Sequence, residues 1–200
     1  MQVILWWLRG ADVQRYGAIV VVLWLAGCAA AFVPATSDPQ EKLNWAGGLV
    51  HMGSRPLAAE RLIQEAITIY KQRDDEVGLA GAYRVYASFF TSPAIEQWRK
   101  WYAKHRFLDK TATVDDRYAK SIEYFQKAAA IYTQHNRTDW LTYVNLNMGL
   151  TYEQMGDRDA ACRAFERSEE NYRATARFDP EIKVVTDYHE VLASHKKHAC

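Results

Sequence analysis

Three of the chain's six histidines, His189, His195 and His198, lie close to its end, and Cys200 closes it. His195-x-x-His198-x-Cys200 offers two imidazoles and a thiolate, donors suited to zinc or copper. His189-Glu190 matches the start of a zinc-protease helix, but the second histidine of that motif would stand where the chain has Ala193. A plainer reading of the same residues is electrostatic. Histidine and lysine at a helix C-terminus complement the partial negative charge there. The chain has no glycine-rich phosphate loop and no G-x-S-x-G nucleophile elbow. Adjacent acids such as Glu169-Glu170 read as a solvated helix face. The expectation is a protein with no catalytic centre, no cofactor and no metal site. The alternative is a metal-binding protein or enzyme built on the C-terminal histidines.

Such residues act together only where a fold gathers them. The chain has 200 residues, enough for one sizeable core, with 49% apolar and 24% charged side chains. Net charge is +1, and beyond residue 27 basic and acidic side chains balance. A neutral body argues against nucleic acid as the main partner.

The strongest patterning runs from Asn145 to Ser168. Asn145, Met148, Gly149 and Tyr152 recur at i, i+3, i+4, i+7; Ala161, Phe165, Ser168 and Tyr172 recur at i, i+4, i+7, i+11. Each set is one stripe of a helix. Between them, Gly156 suits the left-handed end of one helix and Asp157 the cap of the next. Small residues (Gly149, Ala161, Ser168) alternate with bulky ones (Tyr152, Phe165), which lets two helices approach closely. The pattern returns. An offset of 62 sets Ile69-Tyr70 on Ile131-Tyr132, Leu79 on Leu141, Ala87 on Gly149 and Phe90 on Tyr152 without a gap. A spacing of 19 between the small residues of paired helices puts Gly47, Val50, Ala59, Ile63 and Ala66 in the same register. These residues resemble the tetratricopeptide repeat. The resemblance implies an all-α solenoid of about three helix hairpins over residues 39–178. First helices centre on Gly47, Ala87 and Gly149, second helices on 59–66, 121–128 and 161–168. A capping helix and tail over 179–200 would cover the last open face.

Start signals place the individual helices. Asp38-Pro39-Gln40-Glu41 reads as a capping box with proline in the first turn. Pro56, Asp74-Asp75, Thr113 to Asp116, Thr138 and Asp179-Pro180 mark the later starts. About 22 residues are inserted after the helix of Ala87, over roughly 91–114. Their centre puts Trp98, Trp101, Tyr102 and His105 on one helical face, with Arg99, Lys100, Lys104 and Arg106 elsewhere. Three readings stand: an aromatic cap on the core, contact with anionic lipid headgroups, and a partner-binding arm.

Ala18 to Ala26 is an apolar run after Arg15, too short to span a bilayer, and it ends in Leu25-Ala26-Gly27-Cys28. This resembles the lipobox of bacterial lipoproteins. The resemblance implies a signal peptide over 1–27, lipidation of Cys28, and a tether over 28–38. Ala29 stands where an aspartate would signal retention in the inner membrane, so the implied address is the outer membrane, facing the periplasm. Val3 to Leu8 places an apolar run ahead of the basic region, which a later start at Val13 would remove. If lipidation takes Cys28, Cys162 and Cys200 are left in an oxidising compartment. Two readings then stand: a disulfide between them, or a small helix residue and a free terminal thiol.

In the repeat family the ligand surface is the concave face. Carried over residue by residue, it comprises Asn44, Gly48 and His51, then Arg84 and Ser88, then Leu146, Leu150 and Glu153. Family members that clamp a peptide carboxylate carry a set of lysines and asparagines, of which Asn44 and Arg84 are the partial counterpart. The expected function is a membrane-anchored envelope adaptor binding a protein or peptide, in secretion, pilus or outer-membrane assembly. An envelope immunity or inhibitor protein is the alternative of the same class.

Overall fold

The computed structural model describes residues 35–52, 55–178 and 188–200. The signal-peptide, lipidation and late-start expectations at Val13 and Cys28 fall outside them, as does the expected helix start at Asp179. Residues Thr36 to Cys200 form one compact unit. Among the described residues it consists of nine helices and no strand. They are α1 (Pro39–His51), α2 (Pro56–Gln72), α3 (Glu76–Thr91), α4 (Pro93–Gln97), α5 (Arg99–His105), α6 (Arg117–Gln134), α7 (Thr138–Met155), α8 (Arg158–Phe178) and α9 (Tyr188–Ala199). Antiparallel pairs form between α1 and α2, α3 and α6, and α7 and α8. Neighbouring pairs join through α2–α3 and α6–α7, and α9 lies on α8 and α7.

Side-chain caps start three of the helices, α1, α3 and α8. Asp38 accepts from the Gln40 amide (2.9 Å), Asp75 from that of Gly78 (2.8 Å) and Asp157 from that of Ala160 (3.0 Å). The capping box expected at Asp38 is not completed. Thr36 intervenes: its hydroxyl accepts the Asp38 amide (3.1 Å) and donates to Glu41 (2.5 Å). A reciprocal box forms instead before α6, between Thr113 and Asp116.

One C-terminal turn is built three times. The carbonyls of Tyr70, Tyr132 and Tyr152 accept the amides of Asp75, Arg137 and Asp157 at 3.1, 2.8 and 3.0 Å. The residue before each donor, Asp74, Asn136 or Gly156, has positive φ. This is the 6→1 closure of a Schellman motif, which satisfies a carbonyl that the helix end leaves open.

The buried stripes of the second helices fall where the sequence puts them. Ala59, Ile63 and Ala66 on α2, Ser121, Phe125 and Ala128 on α6, and Ala161, Phe165 and Ser168 on α8 are all buried. On α3, Tyr86, Ala87 and Phe90 are buried too. Gly149 meets Phe165 so closely that an added Cβ would lie 2.3 Å from the ring. The first helix departs from the expected register. Leu43, Ala46 and Leu49 are its core residues, whereas Gly47 is exposed and nothing lies within 4 Å of where its Cβ would be. Helix α1 has packed neighbours on one side only, so burial follows Leu43, Ala46 and Leu49 and leaves both glycines at a rim.

The insertion folds back onto the body. Ala94, Ile95, Tyr102, Phe107, Ala112 and Val114 are buried. Phe107 lies 4.4 Å from Tyr102 and 4.9 Å from Phe90, ring centre to ring centre, extending the aromatic core of α3. Of the four residues expected on one face, only Tyr102 is buried; Trp98 and Trp101 are half-buried and His105 is exposed. Trp98 is the break between α4 and α5, so no single helix carries all four.

Candidate binding groove

Gly47, Val50 and His51 of α1 face Val85, Ser88 and Phe89 of α3 across a hollow of about 440 Å³. Gly47 lines it, and nothing lies within 4 Å of where its Cβ would be. Further along the same helices a second hollow of about 310 Å³ is lined by Asn44 from α1, Gly81 and Arg84 from α3, Tyr132 from α6 and Trp140 from α7. Val85 lines both. The first hollow is mostly apolar and bordered by exposed Met52. The second is polar at its centre.

Arg84 sets the electrostatics of that centre. Its guanidinium sits over the Trp140 ring, 4.8 Å from the centroid, and its Nε is buried with no hydrogen-bond partner. Arg137 also approaches Trp140, at 5.9 Å, but its charge is taken by Asp139 at 2.6 Å. Gln40 donates to the Asn44 carbonyl at 3.0 Å, so the NH2 group is what Asn44 has to offer a ligand. Burial raises the Tyr132 hydroxyl above its usual range, which keeps it a neutral donor. Ser88 donates to the carbonyl of Arg84 (3.2 Å) and keeps its acceptor lone pairs.

Thus His51 and Ser88 line the first hollow and Asn44 and Arg84 the second, on either side of Val85. Leu146, Leu150 and Glu153 line neither. Leu146 is buried in a cluster with Phe165, Tyr188 and Leu192, and Leu150 packs against that cluster. Glu153 meets His195 Nδ1 at 2.5 Å. All three lie under α9, and the capping helix closes the part of the surface they were expected to supply. In the insertion, Arg99 is paired with Asp115 at 2.7 Å, and Arg106 donates to the carbonyl of Lys110 at 2.9 Å. Lys100 and Lys104 are exposed.

The metal reading of the C-terminus is not assembled as the sequence spaced it. His195 is engaged by Glu153, His189 packs edge-on against Tyr172, and Cys200 is joined to Cys162 with Cα atoms 5.1 Å apart.

Sequence reasoning missed Glu60. It is 2% exposed, and its Oε1 accepts from the Tyr86 hydroxyl (2.8 Å) and the Leu108 amide (2.6 Å). Burial pushes its carboxyl up to about 7, against the pull of those two donors. The Tyr102 hydroxyl is buried beside it without a hydrogen bond of ordinary geometry; burial, then the nearby carboxylate, raises that phenol. Glu60 lines neither hollow of the groove. Its place between α2, α3 and the insertion makes it an anchor of the fold. In sequence it is one acid in an otherwise ordinary amphipathic helix, and only the distant Leu108 reveals its role.

Among the described residues no helix is long and apolar enough to cross a membrane. No model of a known protein family matches this chain, and no curated protein matches it.

Proposed function

We propose that this protein is a lipid-anchored adaptor of the cell envelope that binds an extended segment of a partner protein along the α1–α3 groove. The observation that carries the reading is the groove's composition: apolar beside Phe89 and Val50, with a buried, unpartnered guanidinium nitrogen beside Val85. An extended chain can set apolar side chains in the first hollow and present a carboxylate or carbonyl to Arg84 and Asn44 in the second. The helix hairpins favour a tetratricopeptide-type solenoid, because the same small–bulky stripe is buried in α2, α6 and α8. The anchor rests on Leu25-Ala26-Gly27-Cys28 alone.

A photo-crosslinking residue at Ser88, inside the groove, and another at Gln126, exposed on α6, test the reading in cells. One protein should be captured from position 88, lost in an Arg84→Glu background, and absent from position 126. Equal capture from both positions overturns the groove as the site. The anchor is tested apart from this. Cys28→Ser should abolish lipid labelling, and unchanged labelling refutes the assignment.

A further inference from the structure

We propose that the Cys162–Cys200 pair has a second state: reduced, with Glu166 it forms a three-ligand site for a thiolate-seeking divalent cation such as Zn2+. Cys162 and Glu166 stand four residues apart on α8 and therefore share a face. Helix α9 carries Cys200 to that face. Donor atoms of the three residues all lie within 4.8 Å of one another. Zinc takes sulfur at about 2.3 Å and carboxylate oxygen at about 2.0–2.2 Å. Its donors therefore sit roughly 3.5–4 Å apart around a tetrahedron. Opening the disulfide lets the sulfurs separate to that spacing by side-chain rotation.

The site survives reduction because α9 is held by more than the covalent bond. Tyr188 and Ser168 share a hydrogen bond at 2.9 Å, Lys196 meets Glu169 at 2.7 Å, and Arg158 of α8 donates to the His198 carbonyl. The Cys200 amide donates to the Lys196 carbonyl (2.9 Å), so ordered backbone continues to the ligand itself. Cys162 is half-buried, and Glu166 and Cys200 are exposed. An ion can enter from solvent, and water completes its fourth position. Two thiolates and a carboxylate select zinc over magnesium or calcium, which prefer oxygen donors.

The chemistry balances with a dithiol as reductant. Its two sulfurs become a disulfide, and both protons pass to Cys162 and Cys200. Zn2+ then displaces two protons on binding. Disulfide and metal are mutually exclusive states of the same sulfurs, and metal affinity falls as pH falls.

The full chain carrying Cys28→Ser, so that no third thiol contributes, is reduced with a phosphine. Zn2+ is then titrated against a chromophoric chelator. The reduced protein should take one equivalent, and the oxidised protein none. Cys162→Ser should weaken binding at least about 100-fold and Glu166→Gln about 10-fold. A Cys162→Ser, Cys200→Ser double variant with unchanged helical circular dichroism is the control for folding. If it competes for zinc as well as the reduced parent, or if the reduced parent does not compete, the proposal is overturned. This inference does not depend on the groove.

Discussion

Glu60 Oε1 accepts the backbone amide of Leu108 at 2.6 Å, across 48 residues of sequence. That bond ties the inserted segment to the second helix of the chain. It is reinforced where Tyr86, which donates to the same carboxyl oxygen, accepts the Asp109 amide at 3.3 Å, and where Tyr124 donates to Asp109 at 2.9 Å.

The first prediction is a stability that falls with rising pH through this carboxyl. Its pKa is about 7 in the folded chain against 4.5 for an unperturbed glutamate. The folded state therefore binds the proton more tightly than the unfolded state does. The contribution is fully present below about pH 4.5, declines as pH rises towards 7, and is flat above. The span is worth about 3 kcal/mol at most. Glu60→Gln keeps an acceptor for Leu108 and Tyr86 but does not titrate. The difference in unfolding free energy between parent and variant should swing by most of that amount between pH 5 and pH 8, with the variant gaining relative stability at pH 8. Parallel pH profiles would show that Glu60 does not carry the effect. Using the difference cancels Asp109 and Glu169, whose depressed pKa values push the other way at lower pH.

Two glycines should respond in opposite senses. At Gly149 a Cβ would lie 2.3 Å from Phe165, so Gly149→Leu overpacks the crossing and costs about 1–3 kcal/mol or more. At Gly47 there is open space, so Gly47→Ala removes only backbone freedom and should stabilise by about 0.5–1 kcal/mol. Thermal unfolding of both decides it. A destabilised Gly47→Ala would return that glycine to a packed crossing.

That contrast shows what was legible in the sequence. The stripes of α2, α6 and α8 were readable because second helices are covered by neighbours, so burial has to follow the apolar period. The Gly156-Asp157 turn was readable because glycine and aspartate each have a local reason to be there. Gly47 misled because a glycine looks the same at a crossing and at a rim; Ala46 and Leu49, which flank the Gly47-Gly48 pair, carry the packing. For the proposed site, the family resemblance singled out Asn44, His51, Arg84 and Ser88, and the structure puts them along two neighbouring hollows. The covering of Leu146, Leu150 and Glu153 was not legible, since it depends on where α9 lands after an intervening segment.

Arg84→Glu should leave the fold standing and disable the groove. The guanidinium gives up its place over Trp140, worth about 0.5–1 kcal/mol at a partly exposed site. A carboxylate in its stead would repel the acidic or carbonyl group that the groove is proposed to hold. The unfolding temperature should drop by only a few degrees. Crosslinking from position 88 should disappear. A folded variant that still crosslinks at the parent level would place the binding determinant elsewhere.

The last prediction concerns what the disulfide does for stability. Cys162 and Cys200 are separated by 38 residues, so their bond closes a long loop in the unfolded chain. In the chain-entropy account such a loop is worth about 3–4 kcal/mol, gained by restricting the unfolded ensemble. Folded contacts are a separate matter. Helix α9 keeps Tyr188 on Ser168, Lys196 on Glu169, and Leu192 in the cluster around Phe165. Cys200→Ser should therefore lower the urea midpoint substantially while α9 stays seated. Hydrogen exchange separates the two effects: amides of α9 should remain protected in the variant under native conditions, and global unfolding should come at lower urea. Release of α9 in water would mean that the covalent bond, and not the Tyr188–Leu192 face, holds it in place. An unchanged midpoint would mean that the loop is already restricted in the unfolded chain.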